Sequence, residues 1–565
     1  MKLRAEALRG IQQSAFDLCV IGGGATGAGC ALDAQLRGLR TVLLERDDFA
    51  SGASGASTKL IHGGVRYLEQ AIRRVDPAEF AVVRRGLRER IRMMRNAPFL
   101  TRELEFVAPC ANRRELLYLG LGLKLYDRIA GRARLGPSRC LSRRETAQKL
   151  PVIAARGLAG GVSYLDGQFD DVRYNMALVE TFCAAGGEAL NHARVAGFEK
   201  DSGGRIAAAE VLAWDSGATG AASPRRFAVR ARAFLNATGP GADEIRAMAS
   251  RDAAPRMRPS KGVHIVLPAV GWPEDRALLI PRTEDDRVLF AIPWQGRLLV
   301  GATDEEIGAG EEPRVTQTHV EYLLRHINRY LHAPVSANQV ASAFAGVRPL
   351  VTSGRAGRAA ATKRLARDHE VEMDSSSGLL SIMGGKWTTY RAMAEDAINA
   401  VQSYLARSIG LGAGAAVAPC PTRDSPLAGS QGYTPGLWRE LMRAAPISEA
   451  AARRFARGYG SRAPEVLALA GSGAALAEPL APGSEPLRAE VVFAIRCEMA
   501  HSIDDILARR LGLEHCDWRA ALAAAPAAAD LLAQELAWPP SAAREALAAY
   551  VQGIHAKMRS AGLEP

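Results

Sequence analysis

A glycine-rich turn near the start of the chain constrains the fold more than any other feature. Residues 16–21 form a short apolar run that predicts a buried strand, and Gly22, Gly24 and Gly27 follow it in the spacing G-x-G-x-x-G before an alanine-rich helical segment, 26–37. In this context the first glycine permits a tight turn, the second lets a pyrophosphate approach the backbone, and the third lets the helix pack on the sheet. We therefore predict a dinucleotide-binding βαβ unit, with helix N–H groups facing the phosphates.

The residues after this unit favour FAD over NAD. Glu45 closes the next predicted strand, 41–44, at the place where a carboxylate accepts a hydrogen bond from a ribose hydroxyl and disfavours NADP. The loop 51–67 is long and rich in small and hydroxyl residues, and such a loop can line an extended cofactor that a simple NAD site does not require. From this loop we expect cofactor contacts from Ser57, Thr58, Lys59, His62, Gly63 and Gly64.

Composition excludes several classes of protein. The chain has 565 residues, of which 48% are apolar and 23% charged, so most of it can form packed cores and is not disordered. The formal net charge of +12 is compatible with nucleic acid, an anionic membrane surface or an anionic small molecule. Aromatic residues make up only 6%, and the chain contains no zinc finger, RNP motif or basic zipper, so we expect no nucleic-acid partner.

Cysteine and histidine usage indicates a reducing compartment and no metal. The eight cysteines form no C-x-x-C pair. His319, His326 and His332 form no ligand cluster, and no EF-hand loop occurs.

The first residues lack an apolar segment of signal-peptide length, and no apolar run is long enough for a membrane-spanning helix. We expect a cytoplasmic protein.

Seven separated segments, in order, resemble the FAD-dependent glycerol-3-phosphate dehydrogenases of the respiratory chain. The resemblance extends from about residue 16 to about residue 515 and includes a stretch similar to the family's C-terminal signature. The segments are STKLIHGGVRYLE (57–69), NATGP (236–240), SKGVHIVLP (260–268), VLFAIPW (288–294), GATD (301–304), GVRPL (346–350) and GGKWTTYRAMAEDA (384–397), and the signature is AEVVFAIRCEMAHSIDDILARR (489–510).

The resemblance implies an α/β fold with three parts. These are a Rossmann-like FAD-binding domain of the D-amino-acid-oxidase type, a mixed α+β substrate domain and an all-α C-terminal domain. We expect that removal of the C-terminal domain spares the cofactor motifs. We assign 14–75, 151–250 and 345–410 to the discontinuous FAD-binding domain, 76–150 and 251–344 to the substrate and membrane-facing domain, 411–432 to a linker and 433–565 to the helical domain.

The resemblance also implies an activity. Members oxidise sn-glycerol 3-phosphate to dihydroxyacetone phosphate, pass a hydride from C2 to FAD and deliver electrons to a membrane quinone. They attach to the membrane surface without spanning it, which here implies the inner face of the cell membrane, and a homodimer is left open. Two alternatives share the fold: a glycerol-3-phosphate oxidase that uses O₂, and a D-amino-acid-oxidase-like enzyme for amines or amino acids.

The substrate requires a fixed cation for its phosphate and a proton acceptor near its carbinol. Arg348 is the first choice for anchoring, because an arginine fork suits phosphate and Pro349 stiffens the backbone. His264, in an apolar strand beside Lys261, is the expected base, since a nearby cation keeps imidazole neutral. Asp304 is expected to orient a basic partner. Further substrate contacts are expected from Arg66, Tyr67, Lys261, Lys386 and Thr388. Arg348 and Lys386 are assigned to the catalytic set together with His264.

Two later turns are expected to touch the cofactor. Residues Ala237, Thr238 and Gly239 end an apolar strand on the adenosine side. Gly384 and Gly385 precede a helix whose first N–H groups can stabilise negative charge on a reduced flavin. Lys386, Trp387 and Thr388 at the start of that helix complete the predicted cofactor site.

One amphipathic segment bears on membrane attachment. Residues 113–126 place Leu and Tyr between basic flanks, and an arginine-rich stretch, 84–95, precedes them. Such a helix can lie among lipid headgroups, and the basic stretch can meet anionic lipid. The alternative is a buried helix pair with a solvated charged face; the family resemblance favours an anionic lipid surface as a partner.

Overall fold

The fold is built on two β-sheets and a helical C-terminal region. The structure, a computed structural model, describes residues 1–63, 77–154, 157–214, 224–352, 369–408 and 418–565. Arg66, Tyr67 and Gly64, which the sequence assigns to the site, lie outside the described residues. No helix among those described is long and apolar enough to cross a bilayer.

The first sheet contains the predicted dinucleotide-binding unit. Its strands are β1 (Ala15–Ile21), β2 (Thr41–Leu44), β7 (Glu188–Leu190), β8 (Ala193–Lys200), β9 (Ile206–Ala213), β10 (Arg225–Asn236), β17 (His369–Met373) and β18 (Leu380–Gly384). They lie in the order β17-β18-β10-β1-β2-β7, with β9 paired to β10 and β8 to β9. Strand β1 is parallel to both β10 and β2. Its residues Leu18, Cys19 and Val20 are buried in succession, as expected for a parallel strand covered on both faces.

The second sheet is larger and mostly antiparallel. Its strands are β3 (Leu60–Ile61), β4 (Thr101–Cys110), β5 (Arg139–Ser142), β6 (Gly160–Phe169), β11 (Ser260–Pro268), β12 (Arg276–Ile280), β13 (Leu289–Trp294), β14 (Arg297–Gly301), β15 (Glu305–Glu306) and β16 (Ser342–Arg348). The order is β15-β11-β14-β13-β12-β4-β6-β3, with β16 paired to β11 and β5 to β6.

Three strands of this sheet correct the predicted domain boundaries. Strand β3 pairs with β6 in the second sheet although 14–75 was assigned to the FAD-binding domain. Strand β6 pairs with β4 along its whole length, so it belongs to the second sheet although 151–250 was assigned to the FAD-binding domain. Strand β16 pairs with β11, which places it in the second sheet although 345–410 was assigned to the first. These three errors arise because a hydrophobic run predicts a strand without identifying its partner.

Helices cover the sheets and form the C-terminal region. The helices of the first part are α1 (Arg4–Gln12), α2 (Ala25–Leu36), α3 (Pro77–Asn96), α4 (Arg113–Ala130), α5 (Arg143–Lys149), α6 (Asp171–Ala184), α7 (Ala242–Ala249), α8 (Gln317–Asn328) and α9 (Tyr390–Ser408). Those of the second are α10 (Leu437–Ala444), α11 (Glu449–Tyr459), α12 (Ala463–Gly471), α13 (Arg488–Glu498), α14 (Leu513–Cys516), α15 (Trp518–Leu536) and α16 (Pro540–Ser560). A π-helical turn spans Asp505–Arg510.

The C-terminal helices pack against the rest of the chain. Trp518, Ile554 and Met558 share a core with the second sheet. The described part of the predicted linker is also packed, since the N–H of Leu427 donates to the carbonyl of Asn96 at 2.9 Å. The α/β fold with a helical C-terminal domain is confirmed, and this domain packs directly on the second sheet.

Candidate active site

A cleft of about 2740 Å³ runs between the sheets and reaches the C-terminal region. This exceeds the roughly 300–1,000 Å³ of an ordinary small-ligand pocket, as an extended dinucleotide requires. Its walls carry most of the residues singled out in the sequence: Gly22, Gly24, Glu45, Ser57, Thr58, His62, Ala237, Thr238, Gly239, His264, Arg348, Gly384, Gly385, Lys386, Trp387 and Thr388.

The glycine turn leaves a cradle that side chains would fill. Gly22 has a φ of +108°, and a β-carbon there would lie 2.7 Å from the carbonyl oxygen of Ala237. A β-carbon on Gly27 would collide with the carbonyl oxygen of Gly22, so the third glycine permits close packing of α2 on the turn. Gly24 is the N-cap residue immediately before α2 and lines the cleft. This cradle and the adjoining helix N-terminus fit the pyrophosphate of FAD.

Glu45 stands at the end of β2, as predicted. Its carboxylate accepts from the N–H of Gly23 at 2.6 Å and from the N–H of Asp47 at 2.9 Å. Burial raises the pKa of this carboxyl above its usual value, and the two N–H groups oppose that rise. A carboxylate held by backbone in this way at the edge of the cleft can accept a hydrogen bond from a ribose hydroxyl.

Ser57 and Thr58 of the hydroxyl-rich loop line the cleft, but the side chain of Lys59 does not face the cleft. Its ammonium is buried, donates to Asp171 at 2.6 Å and to the carbonyl of Gly55 at 2.7 Å, and lies 5.4 Å from the centre of the Phe344 ring. Burial raises the pKa of Asp171 to about 6, against the opposing charge of Lys59. Ser57 also donates to Asp171, at 2.7 Å. The predicted role of Lys59 as a cofactor contact is therefore replaced by a structural ion pair beneath the loop.

Gly63 also has a packing role in this loop. A β-carbon on Gly63 would lie 2.7 Å from Cγ of Leu87, so this glycine lets the loop approach α3 closely. The neighbouring His62 lines the cleft.

His264 projects from β11 into the cleft. Its Nε2 lies 2.9 Å from Oγ1 of Thr58, and its ring stacks on Phe344 with centroids 5.0 Å apart. Nδ1 is buried and has no hydrogen-bond partner within the described part of the chain. Burial, followed by the charges of Arg348 and Lys59, lowers the pKa of His264 to about 3. The imidazole is therefore neutral at physiological pH.

Lys261 faces the opposite side of the same strand. Successive side chains alternate across a strand, so positions 261 and 264 point to different faces. The ammonium of Lys261 lies 3.3 Å from Glu305 and 3.3 Å from the carbonyl of Arg314. Lys261 is thus not brought to the substrate side, and the cations that hold His264 neutral are Arg348 and Lys59.

Arg348 ends β16 directly opposite Ser260. Its guanidinium donates to Asp304 at 3.2 Å and to the carbonyl of Thr303 at 2.9 Å. A β-carbon on Gly262 would lie 2.8 Å from Cζ of Arg348, so the guanidinium lies flat against the glycine of the neighbouring strand. Asp304 therefore orients a basic partner, as the sequence predicts, and the structure adds Gly262 to the site.

The second predicted glycine turn forms another wall. Gly384 and Gly385 have φ values of +77° and +82°, and they precede a short 3₁₀ turn, Trp387–Thr389, before α9 begins. The indole N–H of Trp387 donates to the carbonyl of Ser54 at 2.9 Å, which joins this turn to the hydroxyl-rich loop. Lys386 lies between these groups and lines the cleft.

The strand end at Ala237 touches the glycine cradle directly. The N–H of Ala237 donates to the carbonyl of Ile21 at 2.8 Å. The hydroxyl of Thr238 donates to the side chain of Asn236 at 2.7 Å, which fixes the turn that precedes Gly239. The parallel strands β1 and β10 therefore end at the same edge of the cleft.

The C-terminal region supplies lining residues that the sequence analysis did not assign. Asp504, Asp505 and Arg509 line the cleft together with His192. The only signal in the sequence was the charge-rich end of the segment 489–510. Asp48, His192 and Asp505 have the spacing of a metal site, but Arg509 and Arg510 donate to these carboxylates, so we propose no metal there.

The fold and the cleft define a flavin-dependent oxidoreductase. Residues 17–391 match the family model described as FAD dependent oxidoreductase, and residues 420–543 match the C-terminal domain of alpha-glycerophosphate oxidase. The chain is 38% identical to the mitochondrial glycerol-3-phosphate dehydrogenase of Arabidopsis thaliana over 94% of this chain and 85% of that protein. It is also 38% identical to the mitochondrial glycerol-3-phosphate dehydrogenase of Homo sapiens over 93% of this chain and 71% of that protein.

A solved structure agrees with these relatives. The glycerol-3-phosphate dehydrogenase of Bacillus halodurans, complexed with FAD, superimposes with a TM-score of 0.74 at 27% identity, covering 98% of this chain and 97% of that one. The chain belongs to the FAD-dependent glycerol-3-phosphate dehydrogenase family. Its cofactor is FAD, and the family resemblance, the enzyme class and the cofactor predicted from the sequence are confirmed.

Proposed function

We propose that the chain oxidises sn-glycerol 3-phosphate to dihydroxyacetone phosphate, passing a hydride from C2 to FAD and the electrons onward to a membrane quinone. The names of its relatives support the substrate. The observation that carries the proposal is that neutral His264 and cationic Arg348 project from neighbouring strands into the cleft that also holds the dinucleotide cradle. A proton acceptor and a phosphate anchor are the two groups that this reaction requires of the protein.

Arg348 anchors the phosphate in this proposal. Asp304 and the carbonyl of Thr303 fix its guanidinium at the cleft wall, so little side-chain freedom is lost when substrate binds. Lys386 and Thr388 line the same cleft and supply a second cation and a hydroxyl. Arg66 and Tyr67 stay predictions from the sequence.

His264 takes the proton of the C2 hydroxyl as the C2 hydride leaves, so the alcohol loses two electrons and two hydrogens and becomes a ketone. Bound FAD supplies the two-electron acceptor. Thr58 orients the imidazole through Nε2. The dianionic phosphate beside Arg348 offsets that arginine's effect on His264 and raises the pKa of the imidazole when substrate is present. The helix-start N–H groups after Gly385, with Lys386, stabilise negative charge at the flavin end.

The acceptor and the membrane are proposed from one helix. On α4, Leu117, Tyr118 and Leu121 are 64%, 54% and 63% exposed, and Tyr118 and Leu121 also line the cleft. An exposed apolar helix at the mouth of the cleft gives a lipid-soluble quinone a route to the site. Arg113 and Arg114 at its start suit anionic headgroups. We propose attachment to the inner, cytoplasmic face of the cell membrane; the homodimer stays a prediction.

The test of the proposed function is the visible spectrum of the purified holoprotein without oxygen. Addition of sn-glycerol 3-phosphate should bleach the flavin, and glycerol or D-amino acids should not. A short-chain quinone should then restore the colour faster than air. Bleaching by D-amino acids would instead establish the amine-oxidising alternative, and rapid reoxidation by O₂ with stoichiometric peroxide would establish the oxidase.

A further inference from the structure

A buried cluster of charges joins the C-terminal region to the loop after β2. The two terminal guanidinium nitrogens of Arg510, Nη1 and Nη2, donate to the carboxylate of Asp48, at 2.6 and 2.9 Å. Nε of Arg509 donates to the same carboxylate at 2.7 Å. The side chains of Asp48 and Arg510 are fully buried. Because a buried carboxylate without a cation is strongly unfavourable, Asp48 depends on the C-terminal region for its charge partners.

The loop that carries Asp48 is the one that carries Glu45. Its backbone is held on the other side by the segment between β7 and β8, where the N–H of His192 donates to the carbonyl of Asp47 at 2.6 Å. The imidazole of His192 in turn lies 2.9 Å from the carboxylate of Asp505. The loop 45–48 is therefore enclosed between its neighbouring strands and the π-helical turn Asp505–Arg510.

The same turn forms part of the cleft. Asp504, Asp505 and Arg509 line the cleft with Glu45 and Asp48. This is the end at which Glu45 is placed to receive the adenosine ribose. The C-terminal region thus both supports the ribose-binding loop from behind and contributes surface beside it.

We infer that the C-terminal helical region is a working part of the FAD site, in which Arg509 and Arg510 hold Asp48 and so fix the loop 45–48 against the adenosine end of FAD. Arg509 and Arg510 are positioning residues for the cofactor, since they act through Asp48. This replaces the expectation that removal of 433–565 spares the cofactor motifs. It rests on FAD binding and holds whatever the substrate or the electron acceptor.

The primary test is Arg509→Gln in the full-length holoprotein. We expect the dissociation constant for FAD to rise by at least about tenfold, as for loss of a charged hydrogen bond, with faster release of FAD followed by its fluorescence. The matched control is Arg462→Gln. This variant removes a different arginine–carboxylate pair, in which Arg462 of the C-terminal region contacts Glu180 of α6. That variant should retain FAD as the parent does.

Two ligand fragments separate a local effect from general loosening. In the full chain freed of FAD, Arg509→Gln should weaken binding of ADP by the same factor as FAD and leave binding of FMN unchanged. Asp48→Asn should have the same effect, and the double variant should lose no more than the worse single variant. If Arg509→Gln fails to fold, Arg509→Lys is measured in the same way. Parent-like ADP affinity in a folded variant, or equal losses in Arg462→Gln, would overturn the inference.

Discussion

The guanidinium of Arg348 occupies the space that Gly262 leaves open on the neighbouring strand. A β-carbon at 262 would lie 2.8 Å from Cζ of Arg348. The same guanidinium donates a hydrogen bond to the carboxylate of Asp304. Two residues therefore determine where the guanidinium of the proposed phosphate anchor lies: Gly262, which has no side chain to exclude it, and Asp304, which accepts its hydrogen bond.

Gly262→Ala should displace Arg348 without disturbing the dinucleotide cradle. We expect the KM for sn-glycerol 3-phosphate to rise by about tenfold or more, with FAD still bound, because a charged contact is lost. Steady-state kinetics on the flavin-loaded protein measures this. Gly553→Ala, where a β-carbon would meet nothing within 4 Å, serves as the control. An unchanged KM in Gly262→Ala would show that the position of the guanidinium is unimportant.

Arg348→Ala should remove the anchor altogether. The expected result is a loss of about 10²-fold in kcat/KM with retention of the flavin spectrum, the scale of losing a charged hydrogen bond to substrate. Arg258→Ala provides the comparison, since Arg258 bonds Glu306 nearby and does not line the cleft. Equal kcat/KM values for Arg348→Ala and the parent would exclude Arg348 from the substrate site.

His264→Gln should slow flavin reduction while leaving FAD in place. Loss of a positioned proton acceptor costs about 10²-fold or more in the rate of the chemical step. Anaerobic stopped-flow bleaching by substrate measures that step directly. His326→Gln, at a buried histidine of α8 outside the cleft, should bleach at the parent rate. The proposed role fails if both variants are equally fast.

His264 should also make the protein less stable in mild acid. Its folded-state pKa is about 3 against an ordinary 6.5, so between these values the unfolded chain binds a proton that the folded chain does not. The contribution of His264 to stability is thus complete above pH 6.5 and is lost as the pH falls below it, by about 2 kcal/mol between pH 7 and 5. Denaturant unfolding of the holoprotein measures this effect. Between pH 7 and 5 the free energy of unfolding of the His264→Gln variant should fall by about 2 kcal/mol less than that of the parent. Parallel stability curves would contradict the shift.

Leu117→Glu should weaken attachment to vesicles that contain anionic lipid. Leu117 is 64% exposed on α4, and a carboxylate there both removes apolar contact and repels the headgroups. Co-sedimentation with vesicles measures binding. Val270→Glu, at an apolar residue that is 85% exposed elsewhere on the surface, controls for the added charge. Equal binding of the two variants would remove α4 from the membrane-facing surface.

Local motifs in the sequence predicted the backbone turns that line the cleft. The first glycine turn, Glu45 and the turn at Gly384 could be recognised because each depends on a few neighbouring residues that fix one stretch of backbone. Lys261 shows a limit of the same approach. Its strand is buried on both faces and shows no alternation of hydropathy, so the pattern does not reveal which residues face the cleft, although strand parity alone separates 261 from 264.

Pairings between distant segments could not be predicted from the sequence. The partner of Lys59 is Asp171, 112 residues away, and neither side chain carries a motif that announces the other. Strand β6 was assigned to the wrong sheet for the same reason, since its partner β4 is chosen by the tertiary fold. The arginines that hold Asp48 were visible only as part of a family signature of unassigned role.

Asp48 and Arg510 are separated by 462 positions in the chain. During synthesis the loop that carries Glu45 is therefore made long before the residue that neutralises its buried aspartate leaves the ribosome. A chain that ends before Arg509, through early termination or proteolysis, keeps every glycine of the cradle and still lacks this closure. The order of translation thus leaves the completion of the nucleotide pocket to nearly the last tenth of the polypeptide.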